Sequence, residues 1–199
     1  MRRIVVFDRV SADGYFSTPD GALDWTVPDA ELEKSAAGNL SGTGTMLFGR
    51  RTYEMFESFW PQVVSESPTS PDPHTAGRRS PELRAMGVWI NEANKLVFSR
   101  TRKEVTWKNS RLLGEFDPRS IEAVKREPGG DIMVFGSGSI VSLLTEHHLV
   151  DEYQFVVNPI LLGGGRSLVS GMAASLRLDL QEARTFPSGN VMLRYTPRK

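Results

Sequence analysis

Four short apolar runs punctuate the first two thirds of the chain: Ile4-Val5-Val6-Phe7, Thr45-Met46-Leu47-Phe48, Leu96-Val97-Phe98 and Ile132-Met133-Val134-Phe135. Runs of this length, apolar at nearly every position, predict strands covered on both faces. The stretches between them carry a different period. Residues 29–40 set Leu32, Ala36 and Leu40 on one face, with Asp29, Glu31 and Glu33 in the first turns, where carboxylates suit the helix dipole. Residues 51–60 align Tyr53, Phe56 and Trp60, and residues 139–148 align Ile140, Leu143, Leu144 and His147. Helices are also predicted over 81–93 and 117–127, each with a proline near its first turn. Buried strands alternating with helices imply an α/β protein with a parallel sheet and helices on its faces. The C-terminal part changes style. Leu176, Leu178 and Leu180 alternate with Arg177, Asp179 and Gln181, Pro187-Ser188-Gly189-Asn190 makes a turn, and Val191 to Tyr195 alternates again. That pattern predicts an antiparallel hairpin closing a mostly parallel sheet. Residues 61–81, with five prolines and little apolar content, read as a surface insertion in a single domain spanning 1–199.

Composition narrows the chemistry. Lys plus Arg number 24 and Asp plus Glu number 24 in 199 residues, so there is no basic excess to favour nucleic acid or an anionic membrane. Cysteine is absent, which removes disulfides, thiol catalysis and Cys-ligated metals and points to a cytoplasmic protein. Met1-Arg2-Arg3 and the short run after it fall below signal-peptide or membrane-span length. The three histidines, His74, His147 and His148, show no metal-ligand spacing, and no Gly-x-Ser-x-Gly elbow occurs.

Three segments sit where a strand feeds a helix or loop. Phe48-Gly49-Arg50-Arg51-Thr52-Tyr53 brings free helix N–H groups, a hydroxyl and two guanidinium groups together, a phosphate site or else a glycine turn before a capped helix. Gly136-Ser137-Gly138-Ser139 follows a predicted strand and lets backbone N–H groups approach a pyrophosphate. Val141 stands where a Rossmann fingerprint would carry its third glycine, so the segment is a phosphate loop or a tight turn. Phe98-Ser99-Arg100-Thr101-Arg102-Lys103 is a solvated charge run, or a ligand contact at the C-terminal edge of the sheet. Gly163-Gly164-Gly165 reads as a flexible loop.

Together these segments resemble one family. Gly49-Arg50-Arg51-Thr52-Tyr53 resembles the Gly-Arg-x-Thr-aromatic motif of dihydrofolate reductases, and Leu96 to Arg100 with Val105-Thr106-Trp107 resembles their next cofactor-binding strand. Ser11-Ala12-Asp13-Gly14 and Asn158-Pro159-Ile160-Leu161-Leu162-Gly163-Gly164 are similar to segments of the reductase domain of bacterial riboflavin biosynthesis. The chain resembles the stand-alone bacterial members of this RibD C-terminal, dihydrofolate-reductase-like group. The resemblance implies a three-layer α/β/α fold, NADPH as cofactor, and hydride transfer to a small heterocycle of pterin or pyrimidinone type or a related C=N or C=O compound. It also implies a homodimer. In the family, residues matching Arg50 and Thr52 hold adenosine phosphates, within a cofactor-binding segment that includes Gly49 and Arg51, and those matching Ser99 and Arg100 flank the ribose phosphate. Gly136, Ser137, Gly138 and Ser139 match the pyrophosphate cradle, and Val10 to Trp25 matches a flap over the nicotinamide. One departure concerns the acid. Trp25-Thr26-Val27-Pro28 precedes Asp29, Ala30 and Glu31, with Ala30 where reductases of folate carry the carboxylate. Asp29, Glu31 or Asp13 is then the candidate proton donor. The alternatives are an NADP(H)-binding module without turnover and a binder of phosphate esters. The riboflavin deaminase domain, with its cysteine signature, has no counterpart here.

Overall fold

A computed structural model describes residues 1–65 and 81–198. In it β1 (Ile4–Ser11), β3 (Thr43–Gly49), β4 (Asn94–Phe98) and β6 (Asp131–Phe135) are the four apolar runs, somewhat extended. The remaining strands are β2 (Tyr15–Ser17), β5 (Ser110–Gly114), β7 (Glu152–Asn158), β8 (Arg166–Ser167), β9 (Leu178–Thr185) and β10 (Val191–Pro197). Eight of them form one sheet in the order β5-β4-β3-β6-β1-β7-β10-β9. All pairings from β5 to β7 are parallel, while β10 runs antiparallel to both β7 and β9, which is the expected C-terminal hairpin.

The helices are α1 (Ala30–Asn39), α2 (Arg50–Ser65), α3 (Pro81–Glu92), α4 (Pro118–Arg126) and α5 (Gly138–Glu146). Strand alternation sends Ile4, Val6, Ile132 and Val134 to one face, where they pack on Ile121 and Val124 of α4 and Ile140, Val141 and Leu144 of α5. Met46, Phe48 and Val97 go to the other face, onto Tyr53 of α2 and Ile90 of α3. Val5 and Met133 share that face with Leu40, and Leu32 of α1 packs there with Val156 and Met192. The result is three layers with an almost wholly apolar inner strand set.

Two expectations need correction. The stretch from 61 is not all insertion: Pro61 lies inside α2, which continues to Ser65, and Pro81 opens α3. Val63, 1% exposed, is the reason, because its burial extends the apolar stripe of α2 beyond the proline. The rest of that stretch, 66–80 with His74, lies outside the described residues. The glycine run is also tied down. Asp13 accepts hydrogen bonds from the Leu162 and Gly163 N–H groups at 3.1 and 2.8 Å. Gly165 comes so close to β2 that a Cβ would stand 2.3 Å from the Ser17 carbonyl oxygen. There β2 and β8 pair as a separate two-stranded sheet, and the Arg166 guanidinium donates to the Pro19 carbonyl at 3.0 and 3.2 Å.

Candidate functional site

The C-terminal ends of β1, β3, β4 and β6 open together onto a cavity of about 1480 Å³. One small ligand typically fills roughly 300–1,000 Å³, so this space accommodates a dinucleotide and a second small molecule.

One side of the cavity is a cradle of helix N-termini. The chain leaves β3 at Gly49 straight into α2, and leaves β6 through Gly136 and Ser137 into α5. Gly136 and Ser137 both adopt left-handed conformations, at φ +56° and +64°, a turn tight enough to present the first N–H groups of α5 at the sheet edge. The Ser137 hydroxyl binds the two helix starts to each other. It accepts from the Gly49 N–H at 2.7 Å and donates to Thr52 Oγ1 at 2.7 Å. A Cβ on Gly49 would lie 2.9 Å from that hydroxyl oxygen, so residue 49 has to be glycine for the stitch to form. Arg50 and Arg51 stand at the head of α2, both exposed and both on the wall. After β4, the Ser99 hydroxyl accepts from the Arg102 N–H at 2.9 Å and the Thr101 N–H at 3.2 Å, which turns Arg100 toward the same rim.

All ten residues expected to hold the cofactor, in the segments 49–52, 99–100 and 136–139, therefore line one cavity. The fold also supplies partners that chain order hides. Glu54, one turn along α2, lies 3.5 Å from the Arg50 guanidinium, and Glu115 lies 3.9 Å from Arg100. These long, exposed pairs leave both cations available to a stronger anion. Arg102 is more firmly engaged: it bonds Glu57 at 2.9 Å and lies over the Tyr53 ring.

The three candidate acids stand outside the cavity wall. Asp13 is exposed and accepts from the Ser11 hydroxyl at 2.6 Å, and this bond with the loop N–H groups holds its carboxyl below the usual range. Asp29 caps α1 through the Leu32 N–H at 2.9 Å and also accepts from the Ser188 N–H at 3.0 Å. The Ser188 side chain and the Leu32 N–H keep its carboxyl low. Glu31 pairs with Arg184 across to β9.

The acid that the sequence did not single out is Asp8. It is 6% exposed on β1, lines the cavity, and accepts from the Gly136 N–H at 2.9 Å through Oδ1. Its Oδ2 is buried with no protein partner. Burial raises its carboxyl well above the ordinary value, against the smaller opposing effect of the Gly136 bond. The available signal was an aspartate directly after the apolar run Ile4 to Phe7, a residue type that is seldom buried without a use.

The other side of the cavity, between α1, α2 and α3, is apolar and aromatic. Phe7, Phe135, Phe56 and Trp60 form a chain of rings, each 5.9 Å from the next, and all four line the wall. Of the Tyr53, Phe56 and Trp60 stripe, Tyr53 is core, its hydroxyl donating to Glu57 at 2.9 Å. Half-buried Arg9 reaches this side from β1, with Glu33 also on the wall. Burial lowers the basicity of Arg9, and the charges of Glu33 and Asp29 work against that loss.

At the mouth, Phe16 of β2 packs against Gly138, where a Cβ would meet its ring at 3.0 Å and the Leu168 carbonyl at 3.1 Å. The paired strands β2 and β8 thus flank the cradle, with Ser17 and Arg166 on the cavity wall.

Such a site can hold phosphates on one side and a flat ring on the other. Comparison with known proteins agrees with the architecture. The uncharacterized protein YyaP of Bacillus subtilis is 28% identical over 198 residues, covering 98% of this chain and 94% of its own. A putative riboflavin biosynthesis protein from Shewanella shares the fold at TM-score 0.73 and 20% identity, with 99% of each chain covered. Dihydrofolate reductase from Enterococcus faecalis, solved with NADP(H) and RAB-propyl, superposes at TM-score 0.62 and 11% identity over 99% of this chain and 97% of its own. The fold is that of RibD-like and dihydrofolate-reductase-like proteins. Residues 2–192 match the RibD C-terminal domain, and the chain belongs to that family.

Proposed function

We propose that the protein is an NADPH-dependent reductase acting on a small heterocycle of pterin or pyrimidinone type, or a related C=N or C=O compound. The observation that carries this reading is a single cavity that joins a cationic cradle at two helix N-termini to an aromatic-walled arm. The residues present fit the cofactor. Arg50 and Thr52 would hold the adenosine phosphates, Ser99 and Arg100 the ribose phosphate, and Gly136 to Ser139 the pyrophosphate, all on one wall. Bound NADPH would supply a hydride to the substrate carbon, and with one proton this reduces the C=N or C=O bond. The protein's share is positional. Ser137 fixes the two helix starts, and the flap of β2 and β8 shields the mouth from water. Asp8 sits beside the pyrophosphate loop, and burial raises its carboxyl well above the ordinary value, which weakens the like charge opposing the cofactor there.

The position of Asp13, Asp29 and Glu31 outside the wall favours the second reading, an NADP(H)-binding module without turnover. Following NADPH absorbance against pterins, pyrimidinones and small carbonyls separates the two. The reductase reading requires a rate above the enzyme-free blank. NADPH binding with no rate across the panel supports the module. The same proposal includes a cytoplasmic homodimer: β9 is an edge strand carrying Leu180, 55% exposed. Among the described residues no helix is long and apolar enough to cross a membrane. A light-scattering mass of one chain at micromolar concentration would end the dimer assignment.

A further inference from the structure

β1 outruns its neighbour on one side. Its pairing with β6 ends at Phe7 against Phe135, while its pairing with β7 continues in unbroken register to Ser11. Beyond Phe135 the chain turns away through Gly136 into α5, and Asp8 and Arg9 border the cavity. Side chains two apart on a strand share a face, about 7 Å from one another. Arg9 therefore stands beside Phe7, which opens the series of rings Phe7, Phe135, Phe56 and Trp60.

The guanidinium of Arg9 is half-buried, and its donors are unspent. Glu33 and Asp29 act on it as charges at a distance, with no hydrogen bond from Arg9 to either. Asp29 is committed to the Leu32 and Ser188 N–H groups. Among the described residues the Arg9 side chain has no hydrogen-bond or ion-pair partner. A guanidinium is a planar fork of five N–H groups that stays charged in proteins. Part-buried in this way, it has given up water without gaining an acceptor. A carboxylate restores that loss with two parallel, charge-assisted bonds, in a place where salt screens the pair less than at the surface. The wall has other cations, Arg50, Arg51, Arg100 and Arg166. Arg9 differs from them in growing from the strand that also carries the first ring.

We propose that Arg9 determines substrate specificity, and that the substrate is a planar heterocycle with a carboxylate directly on its ring, held by Arg9 while the ring lies against Phe7. The short step from Phe7 to Arg9 is what places the charge on the ring itself. This rests on the reductase reading and names its substrate class.

Two matched pairs of ligands make the test: pterin-6-carboxylate against 6-hydroxymethylpterin, and orotate against 6-methyluracil. Each is titrated by calorimetry into the full-length protein at neutral pH, with and without saturating NADP⁺. In at least one pair the acid should bind at least about tenfold more tightly than its neutral partner. Arg9→Gln should erase that preference by weakening the acid alone, and Arg9→Lys, which keeps the charge and loses the fork, should fall between. No preference in either pair, or no binding by either acid, overturns the proposal in the wild-type protein, before any variant is made. A preference that survives Arg9→Gln and is lost in Arg51→Gln or Arg166→Gln overturns it as well. Should Arg9→Gln fail to fold, Arg9→Lys decides: a reduced preference supports the assignment, and one equal to wild type overturns it. The two readings fail separately. An Arg9-dependent preference without NADP⁺ binding leaves the receptor standing and removes the reductase, whereas NADP⁺ binding without a preference removes the receptor alone.

Discussion

The Ser137 hydroxyl is a small group on which both halves of the cradle depend, and removing it gives a sharp expectation. Ser137→Ala deletes two hydrogen bonds, the 2.7 Å bond from Gly49 N–H and the 2.7 Å bond to Thr52 Oγ1. Each contributes about 1 kcal/mol net, and the buried Gly49 N–H is left without its acceptor, so the total loss is roughly 2–3 kcal/mol. For a domain of this size, that corresponds to a fall in Tm of about 4–12 °C. The backbone makes a second variant informative. Residue 137 sits at φ +64°, where a Cβ costs roughly 1–2 kcal/mol and glycine costs little. Ser137→Gly loses the same hydroxyl but relieves that strain. Set against the greater freedom of glycine in the unfolded chain, it should be about 0.5–1 kcal/mol more stable than the alanine variant. NADP⁺ affinity should fall in both, since the helix starts are no longer fixed to each other. Thermal melts and calorimetric NADP⁺ titrations of the three proteins at one pH provide the comparison. An alanine variant within about 0.5 kcal/mol of wild type, or a glycine variant less stable than alanine, would refute the reasoning.

Arg50→Ala should weaken NADPH by roughly 1.5–3 kcal/mol and NADH much less, with the gap narrowing as salt is raised; equal losses in paired titrations would make Arg50 structural. Asp8 is protonated when folded above the pH at which it ionises unfolded, so wild-type stability should decline as pH rises through that window, by at most about 1.4 kcal/mol per pH unit. Asp8→Asn keeps the neutral shape and should flatten that decline, as urea melts between about pH 5 and about pH 8 will show. Lys95 is fully buried and donates to the carbonyls of Asn91, Ala93 and Lys108 at 3.0, 2.8 and 3.3 Å. Lys95→Met strands those acceptors and should cost roughly 2–4 kcal/mol. Burial also lowers the Lys95 ammonium to about 8, so the wild type should gain stability as pH rises from there toward the unfolded value, a gain absent from the methionine variant.

What the sequence made legible was what short-range pattern controls. Four of the parallel strands each carry an unbroken apolar run of three or four residues, and the hairpin strands alternate, so length and period identified both kinds. β7 escaped because buried polar residues interrupt its run. Glu152 and Gln154 are 5% and 7% exposed and bond each other at 2.7 Å, a pairing that period alone does not signal. β5 has no fully buried position, and β2 and β8 are too short to carry a period. The cradle was legible because a glycine between strand and helix is a local motif. Asp8 was not, because its meaning lies in a bond to Gly136, 128 positions away. Asp13, Asp29 and Glu31 attracted attention for the opposite reason: turn-forming and helix-capping acids have the local look of functional ones.

The pairing of β2 with β8 has a consequence for how proteins of this shape can diverge. A flap made from one loop can be lengthened, shortened or exchanged without reference to the rest of the chain. Here Tyr15 and Ser17 are in register with Ser167 and Arg166, Arg166 reaches back to Pro19, and Gly165 fits only because it has no side chain. An insertion on either side must therefore preserve the alignment with the other, about 150 residues distant in the chain. Changes at 15–19 and at 165–167 should accordingly be inherited in pairs, and the glycine at 165 should be kept wherever the two strands are kept.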